Sequence, residues 1–172
     1  MVNSRQILTN SPELETFMQE CDNRNYTNNN SLKALKFEWC METGGSWWGS
    51  YNNNRLVALS GIHPFKDGYR ALFRGAQIEL RPGDGLSKYQ KQNWAFNDHL
   101  PLQIEWANSP NIYITTSPYD DKDRSGKMSR IHRSAIVLEK QGVFTYVSEE
   151  DVFYVPQVIW KLNKERYYEV RN

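Results

Sequence analysis

The chain has 172 residues, a formal net charge of +1, and seven Phe, ten Tyr and six Trp. That length suggests one domain, large enough to bury a core without disulfides or metal staples. A near-zero charge supplies no overall field for nucleic acid or a membrane surface, and no stretch approaches the ~20 apolar residues a bilayer-spanning helix needs.

The elements are read in chain order. Gln6, Ile7 and Leu8 form a short first strand. Ser11 reads as an N-cap, with Pro12 at the first helical position and Glu13 and Glu15 in the first turn. Leu14, Phe17, Met18 and Cys21 then fall on one helical face. Asn23 to Asn30 is a polar loop, and Ser31 to Trp39 repeats the helical spacing up to Gly44 and Gly45. Ser46 to Tyr51 and Arg55 to His63 form a hairpin about Asn52, Asn53 and Asn54, because Asn tolerates the left-handed backbone of a tight turn. The second of these runs is apolar on both faces, as a central strand is.

Pro64 to Gly68 turns the chain into the stretch on which the rest depends. Tyr69 to Leu80 reads as a strand, Arg81-Pro82-Gly83-Asp84-Gly85 as a glycine turn, and Leu86 to Leu100 as an exposed helix. A strand that feeds a glycine turn into a helix start leaves main-chain N–H groups free for an anionic phosphate. Pro101 punctuates, Leu102 to Trp106 reads as β-like or irregular, and Asn111 to Ser117 as another central strand. Pro118 to Arg124 is a charged loop. Ser125 to Gln141 is a helix with Met128, Ile131, Ala135 and Leu138 on its buried face and Gly142 as its cap. Phe144 to Ser148 and Val152 to Leu162 are two strands joined at Glu149, Glu150 and Asp151. The tail, Asn163 to Asn172, is an extension of the last strand or a loose end. The expected fold is α+β: a mixed, mostly antiparallel central sheet with helices on both faces, in one domain spanning the chain.

This order, with its strand, glycine turn and helix, resembles the GNAT superfamily of acyl-coenzyme A-dependent N-acyltransferases over Ser11 to Leu162. Arg81, Gly83 and Gly85 stand where the family carries Arg/Gln-x-x-Gly-x-Gly/Ala, with the Arg one residue nearer the glycines. A late helix ending at Gly142 before Phe144 is similar to a second family feature, although Leu138 and Glu139 occupy the places where the family often has a Tyr acid. The resemblance implies an acyl-coenzyme A co-substrate, most simply acetyl-CoA, held by Ile78, Leu80, Arg81, Gly83, Asp84, Gly85, Leu86 and Ser87, with His132 as a polar contact from the late helix. It also implies no metal and an acceptor that is a small-molecule or peptide amine.

An alkyl amine is mostly protonated at neutral pH, so a carboxylate is expected to take its proton. Glu79 is the candidate base, flanked by Ile78 and Leu80, with Glu105 as the second choice. Tyr113 is the candidate acid. His63 reads as a hydrogen-bonded structural histidine. Asp121, Asp123 and Ser125 imitate the start of a calcium loop, but His132 stands where that loop needs its bidentate Glu. Two readings of other kinds stay open. One is a catalytically degenerate acyl-CoA-binding module. The other is a single-stranded nucleic-acid surface on Phe153, Tyr154, Trp160, Tyr167 and Tyr168 among Lys161, Lys164 and Arg166. Cys21 and Cys40 have no metal-ligand spacing. With no apolar leader at the N-terminus, two free thiols point to a cytoplasmic chain. A homodimer is compatible with the sequence, which carries no signal for one.

Overall fold

The computed structural model describes residues 2–25, 36–76, 95–118, 130–153 and 155–171. Seven strands form one sheet in the order β1-β2-β3-β4-β5-β7-β6. They are β1 (Val2–Ile7), β2 (Ser46–Asn52), β3 (Arg55–Phe65), β4 (Gly68–Ala76), β5 (Ile112–Thr116), β6 (Phe144–Val152) and β7 (Val155–Leu162). All neighbours pair antiparallel except β4 and β5, which run parallel. The helices are α1 (Pro12–Asn25), α2 (Phe37–Glu42), α3 (Leu100–Ala107), α4 (Arg130–Lys140) and α5 (Lys164–Val170), with a π-turn, Ala95–His99, leading into α3. Among the described residues no helix is long and apolar enough to cross a membrane.

Strand alternation gives the sheet two buried faces. One carries Ile7, Trp47, Leu59 and Leu72, and packs on Leu14, Phe17, Met18 and Cys21 of α1 and Phe37 and Cys40 of α2. The other carries Trp48, Ile62, Ala71, Ile112, Ile114 and Trp160, and packs on Leu100 and Ile104 of α3, Ala135 of α4 and Tyr167 of α5. The signals at α1 act as expected: the Leu14 N–H donates to Ser11 Oγ at 3.2 Å. The hairpin turns on Asn53 and Asn54, both left-handed with φ of 50° and 64°, the pair of positive angles that suits the twist of two antiparallel strands. Gly142, at φ 78°, ends α4.

Four regions depart from the reading of the sequence. Leu102 to Trp106 lies in a helix, not a strand. Pro101 sits in its first turn, where no N–H is needed, Leu100, Gln103 and Ile104 are buried at helical spacing, and Asn108 caps it in the left-handed region at φ 44°. Glu149, Glu150 and Asp151 continue β6 instead of forming the turn. β6 is an edge strand, so its carboxylates stay solvated and discourage pairing with other chains. The reversal falls after Val152, with Phe153 at φ 49°. The tail is a helix because the Asn163 side chain accepts from the Arg166 N–H at 3.2 Å and Tyr167 is fully buried. On α4, Ala135 is buried and Leu138 packs against the core as expected, but Ile131 is 61% exposed and His132 faces inward beside it; Met128 lies outside the described residues. Burial of a hydrogen-bonded histidine displaced the apolar residue beside it. The strand ends differ too: β1 stops before Leu8 and β3 runs on to Phe65.

Candidate functional site: the opening between β4 and β5

β4 and β5 share only three register pairs, Tyr69↔Ile112, Arg70↔Tyr113 and Ala71↔Ile114. Both strands then continue without each other. β4 stays on β3 as far as Ala76 opposite Ala58, and β5 stays on β7 through Thr115 opposite Ile159 and Thr116 opposite Val158. The sheet therefore parts in its middle. Beyond Ala71, β4 presents main-chain groups on the β5 side with no β5 partners. Within β4 the register against β3 skips between Gly75↔Leu59 and Phe73↔Ser60, so Arg74 is the extra residue of a bulge. A bulge bends its strand and raises its twist, which carries β4 away from a parallel neighbour.

Side chains mark both ends of the gap. At the closed end, Tyr113 Oη donates to Asp67 Oδ1 at 2.5 Å. That bond, with burial, pushes the phenol up to about 12. The Tyr113 proton thus points at the β3–β4 turn, and it must leave Asp67 before it can serve a leaving group. One residue along, Arg70 donates from Nε to Thr115 Oγ1 at 2.8 Å and lies 3.2 Å, through Nη1, from His63 Nε2. His63 Nδ1 is 2.9 Å from the Pro64 carbonyl. A carbonyl only accepts, so the His63 proton is on Nδ1 and Nε2 takes the Arg70 bond. Burial, then the guanidinium, pulls His63 down to about 4. Trp39, Phe65 and Phe153 surround this ring at centroid distances of 5.1, 6.2 and 5.7 Å.

At the open end of β5, Thr116 Oγ1 accepts from Trp160 Nε1 at 2.8 Å and lies 2.8 Å from His132 Nδ1. The hydroxyl oxygen has two lone pairs and one proton, so Nδ1 either accepts that proton or donates to the second lone pair, according to the tautomer. Burial lowers the His132 pKa, with Glu149 opposing. Of the residues singled out in the sequence, His132 stands at the open end of β5, beside Thr116. Tyr113 is at the closed end of the gap, and Glu105 is exposed on α3. Glu79, Ile78, Leu80, Arg81, Gly83, Asp84, Gly85, Leu86 and Ser87 lie outside the described residues. Arg70, Thr115 and Thr116 were not foreseen. The available signal was an Arg inside the apolar run Tyr69-Arg70-Ala71-Leu72-Phe73, since a cation in a central strand needs bonded partners.

A second polar group lies behind β3. His99 is fully buried, with Nε2 2.6 Å from Ser50 Oγ and Nδ1 2.5 Å from Ser60 Oγ. Gln103 Nε2 donates to Ser60 Oγ and to the Gly61 carbonyl, both at 3.0 Å. Burial holds His99 near 4. The π-turn that presents His99 leaves the Phe96 carbonyl to Tyr167 Oη. Elsewhere, a cleft of about 310 Å³ lies against α1 and the start of β3, lined by Pro12, Glu13, Thr16, Phe17, Glu20, Arg55 and Leu56. Of the rings that suggested a nucleic-acid surface, Trp160 and Tyr167 are buried in the core and Tyr168 is half exposed. Among the described residues no cluster of His, Cys, Asp and Glu is arranged to hold a metal ion.

The sheet order and the parallel central pair, which parts after Ala71↔Ile114, go with the fold of the GNAT acetyltransferases, and the chain has that fold. The particular likenesses are to solved structures. An aminoglycoside acetyltransferase in complex with coenzyme A and kanamycin matches at 11% identity and a TM-score of 0.57, over 100% of both chains. An acetyltransferase from Streptococcus agalactiae matches at 14% identity and 0.57, over 94% of this chain and 97% of the other. An N-acyl amino acid synthase from uncultured soil microbes matches at 10% identity and 0.58, over 98% and 94%. No model of a known protein family matches the chain, and no curated protein matches it.

Proposed function

We propose that this chain is an acyl-coenzyme A-dependent N-acyltransferase, most simply an acetyltransferase that acts on a primary amine of a small molecule or peptide. The observation that carries the reading is the opening of the sheet after Ala71↔Ile114 in a chain with the GNAT fold. Solved structures that share the fold include complexes with acetyl-CoA or coenzyme A, and the opening suits the narrow, amide-bearing arm of such a molecule. Main-chain donors of β4 beyond Ala71 are available to a thioester carbonyl. They are fixed in a sheet, so they need no reorganisation as charge develops on that oxygen.

In this reading the N–H groups of Gly83 and Gly85, with Arg81, hold the pyrophosphate, and Ile78, Leu80, Asp84, Leu86 and Ser87 line the same cradle. Glu79 takes the proton of the incoming ammonium, so that a neutral amine attacks the carbonyl carbon. The tetrahedral adduct collapses with loss of the thiolate; the attacking nitrogen gives up its second proton as the amide forms, and the thiolate takes up one proton. His132, bonded to Thr116, borders the gap on the cofactor side. The phenol of Tyr113 serves as acid only if it parts from Asp67.

The test is a melting scan with acetyl-CoA followed by an amine panel. Ligand at 100 times its dissociation constant adds about 2.7 kcal/mol of stability. Absence of any shift at millimolar acetyl-CoA contradicts the reading. A shift without turnover on any amine favours a module that binds acyl-CoA without catalysis. Glu79→Gln keeps cofactor affinity and slows transfer about a hundredfold if Glu79 is the base; an unchanged rate removes Glu79 from that role.

A further inference from the structure

We propose that Arg70 is a positioning residue: its guanidinium, bonded to Thr115 and His63, clasps three strands together at the point where β4 and β5 stop pairing, and so sets how far the sheet opens. The geometry is specific to that point. Arg70 is the middle of the three residues of β4 that pair with β5. Its side chain reaches forward along β5, past Ile114, to Thr115, the first residue of β5 that no longer pairs with β4 and pairs only with Ile159 of β7. On the other side it meets His63, its register partner on β3. One side chain thus ties β3, β4 and β5 on a single face, directly below the gap.

The surroundings make the tie rigid. Arg70 is 5% exposed and His63 1%. The guanidinium stands 5.7 Å from the Phe153 ring centroid, and Trp39 meets both Phe153 and His63 edge-on at 5.1 Å. Water is largely kept from the bonds, which strengthens them. The residue type also matters. A guanidinium is a planar fork that reaches two partners at fixed angles from one side chain, which an ammonium on a flexible stem does not reproduce. Main-chain pairing of β4 with β5 ends at Ala71↔Ile114, and a side-chain bond one residue further along β5 reinforces that short ladder at the apex, where the separation begins. The Thr115 hydroxyl supplies that bond from β5.

The consequence for function rests on the acyltransferase reading: the apex fixes how deep a thioester sits, and thus its register with the β4 donors. The tests use Thr115→Val, which keeps the shape and deletes the hydroxyl, Thr115→Ser, which keeps the hydroxyl, and Arg70→Lys, which keeps the charge and loses the fork. Amide hydrogen exchange of the whole protein is the first readout. Thr115→Val speeds exchange about tenfold in residues 69–76 and 112–116, as expected for a lost bond to a charged group, while residues 2–7 and 46–52 are unchanged. Arg70→Lys does the same, and Thr115→Ser stays within about twofold of the parent. Exchange that is unaltered in Thr115→Val, or that rises evenly across the sheet, overturns the clasp; should Thr115→Val fail to fold, Arg70→Lys decides on the same readout. The second readout is calorimetric binding of acetyl-CoA, expected to be about tenfold weaker in Thr115→Val and restored in Thr115→Ser. Undiminished binding in Thr115→Val refutes the coupling of apex to ligand. If the parent protein binds no acetyl-CoA, the proposed function fails, and the exchange readout still decides the clasp.

Discussion

The two deeply buried histidines make the folded state sensitive to mild acid, and the size of the effect follows from their surroundings. His63 and His99 are 1% and 0% exposed, and each is held near 4 against an ordinary value of 6.5. Above pH 6.5 both rings are neutral, folded or unfolded, and stability does not depend on them. Between 6.5 and 4 the unfolded chain takes up protons that the folded chain refuses, so stability falls as pH falls, by ~1.4 kcal/mol per pH unit for each ring. Below 4 the loss levels off, at about 3 kcal/mol for each ring. The two together cost about 6 kcal/mol, much of the 5–15 kcal/mol that holds a typical domain. Asp98 works the other way: burial raises its pKa, so its share is present at low pH and lost as pH rises. His132, whose pKa burial also lowers, adds a loss of the same sign as pH falls, so the variant of one ring is compared with the parent between pH 6.5 and 5. The assay is urea unfolding at steps through that window, for the parent protein and for His99→Gln, which retains a donor and an acceptor for Ser50 and Ser60 but does not titrate. The parent loses stability towards pH 5, and His99→Gln lowers the slope by about one proton. A parent that is flat from 6.5 to 5, or a His99→Gln slope equal to the parent's, refutes the assignment of a neutral buried ring.

Two further substitutions test the packing around the site. Gly45→Ala places a Cβ 2.1 Å from the Ile62 carbonyl oxygen and 2.6 Å from Cys40 Sγ and costs about 3 kcal/mol by chemical denaturation, whereas Gly142→Ala, strained at φ 78° but 3.6 Å from its nearest neighbour, costs about 1 kcal/mol; equal costs would contradict the crowding argument. Tyr167→Phe strands the Phe96 carbonyl that its hydroxyl serves and lowers stability by about 1–3 kcal/mol, and a change within error would show that this bond does not hold the π-turn.

Local chemistry made much of the fold legible. Ser11 and Pro12 opened α1, Asn53 and Asn54 turned the hairpin, and the apolar runs of β3 and β5 marked central strands. The failures came where tertiary context outweighed local pattern. Glu149 to Asp151 look like a turn, yet an edge strand leaves them solvated on one side while Val158 and Gln157 pair with them on the other. The tail became a helix because a buried pocket awaited Tyr167, which no periodicity over seven residues could announce. Pro101 looked like a break and lies in the first turn of a helix, where no N–H is needed. At the site, the parting of β4 from β5 after Ala71 could not be read from local pattern, since a gap is a relation between strands distant in the chain. The bonds that frame it, Arg70 to Thr115 and Thr116 to His132, join residues 45 and 16 apart, beyond the reach of any local motif.

The proposed function stands on the entry of an acyl-coenzyme A between β4 and β5. Titration of the labelled protein with acetyl-CoA, followed by amide chemical shifts, tests it most directly. Shifts are expected to concentrate at Leu72 to Ala76, at Thr115 and Thr116, and at His132 on α4. Shifts confined to the cleft of Glu13, Glu20 and Arg55, or none at saturating ligand, would contradict that entry.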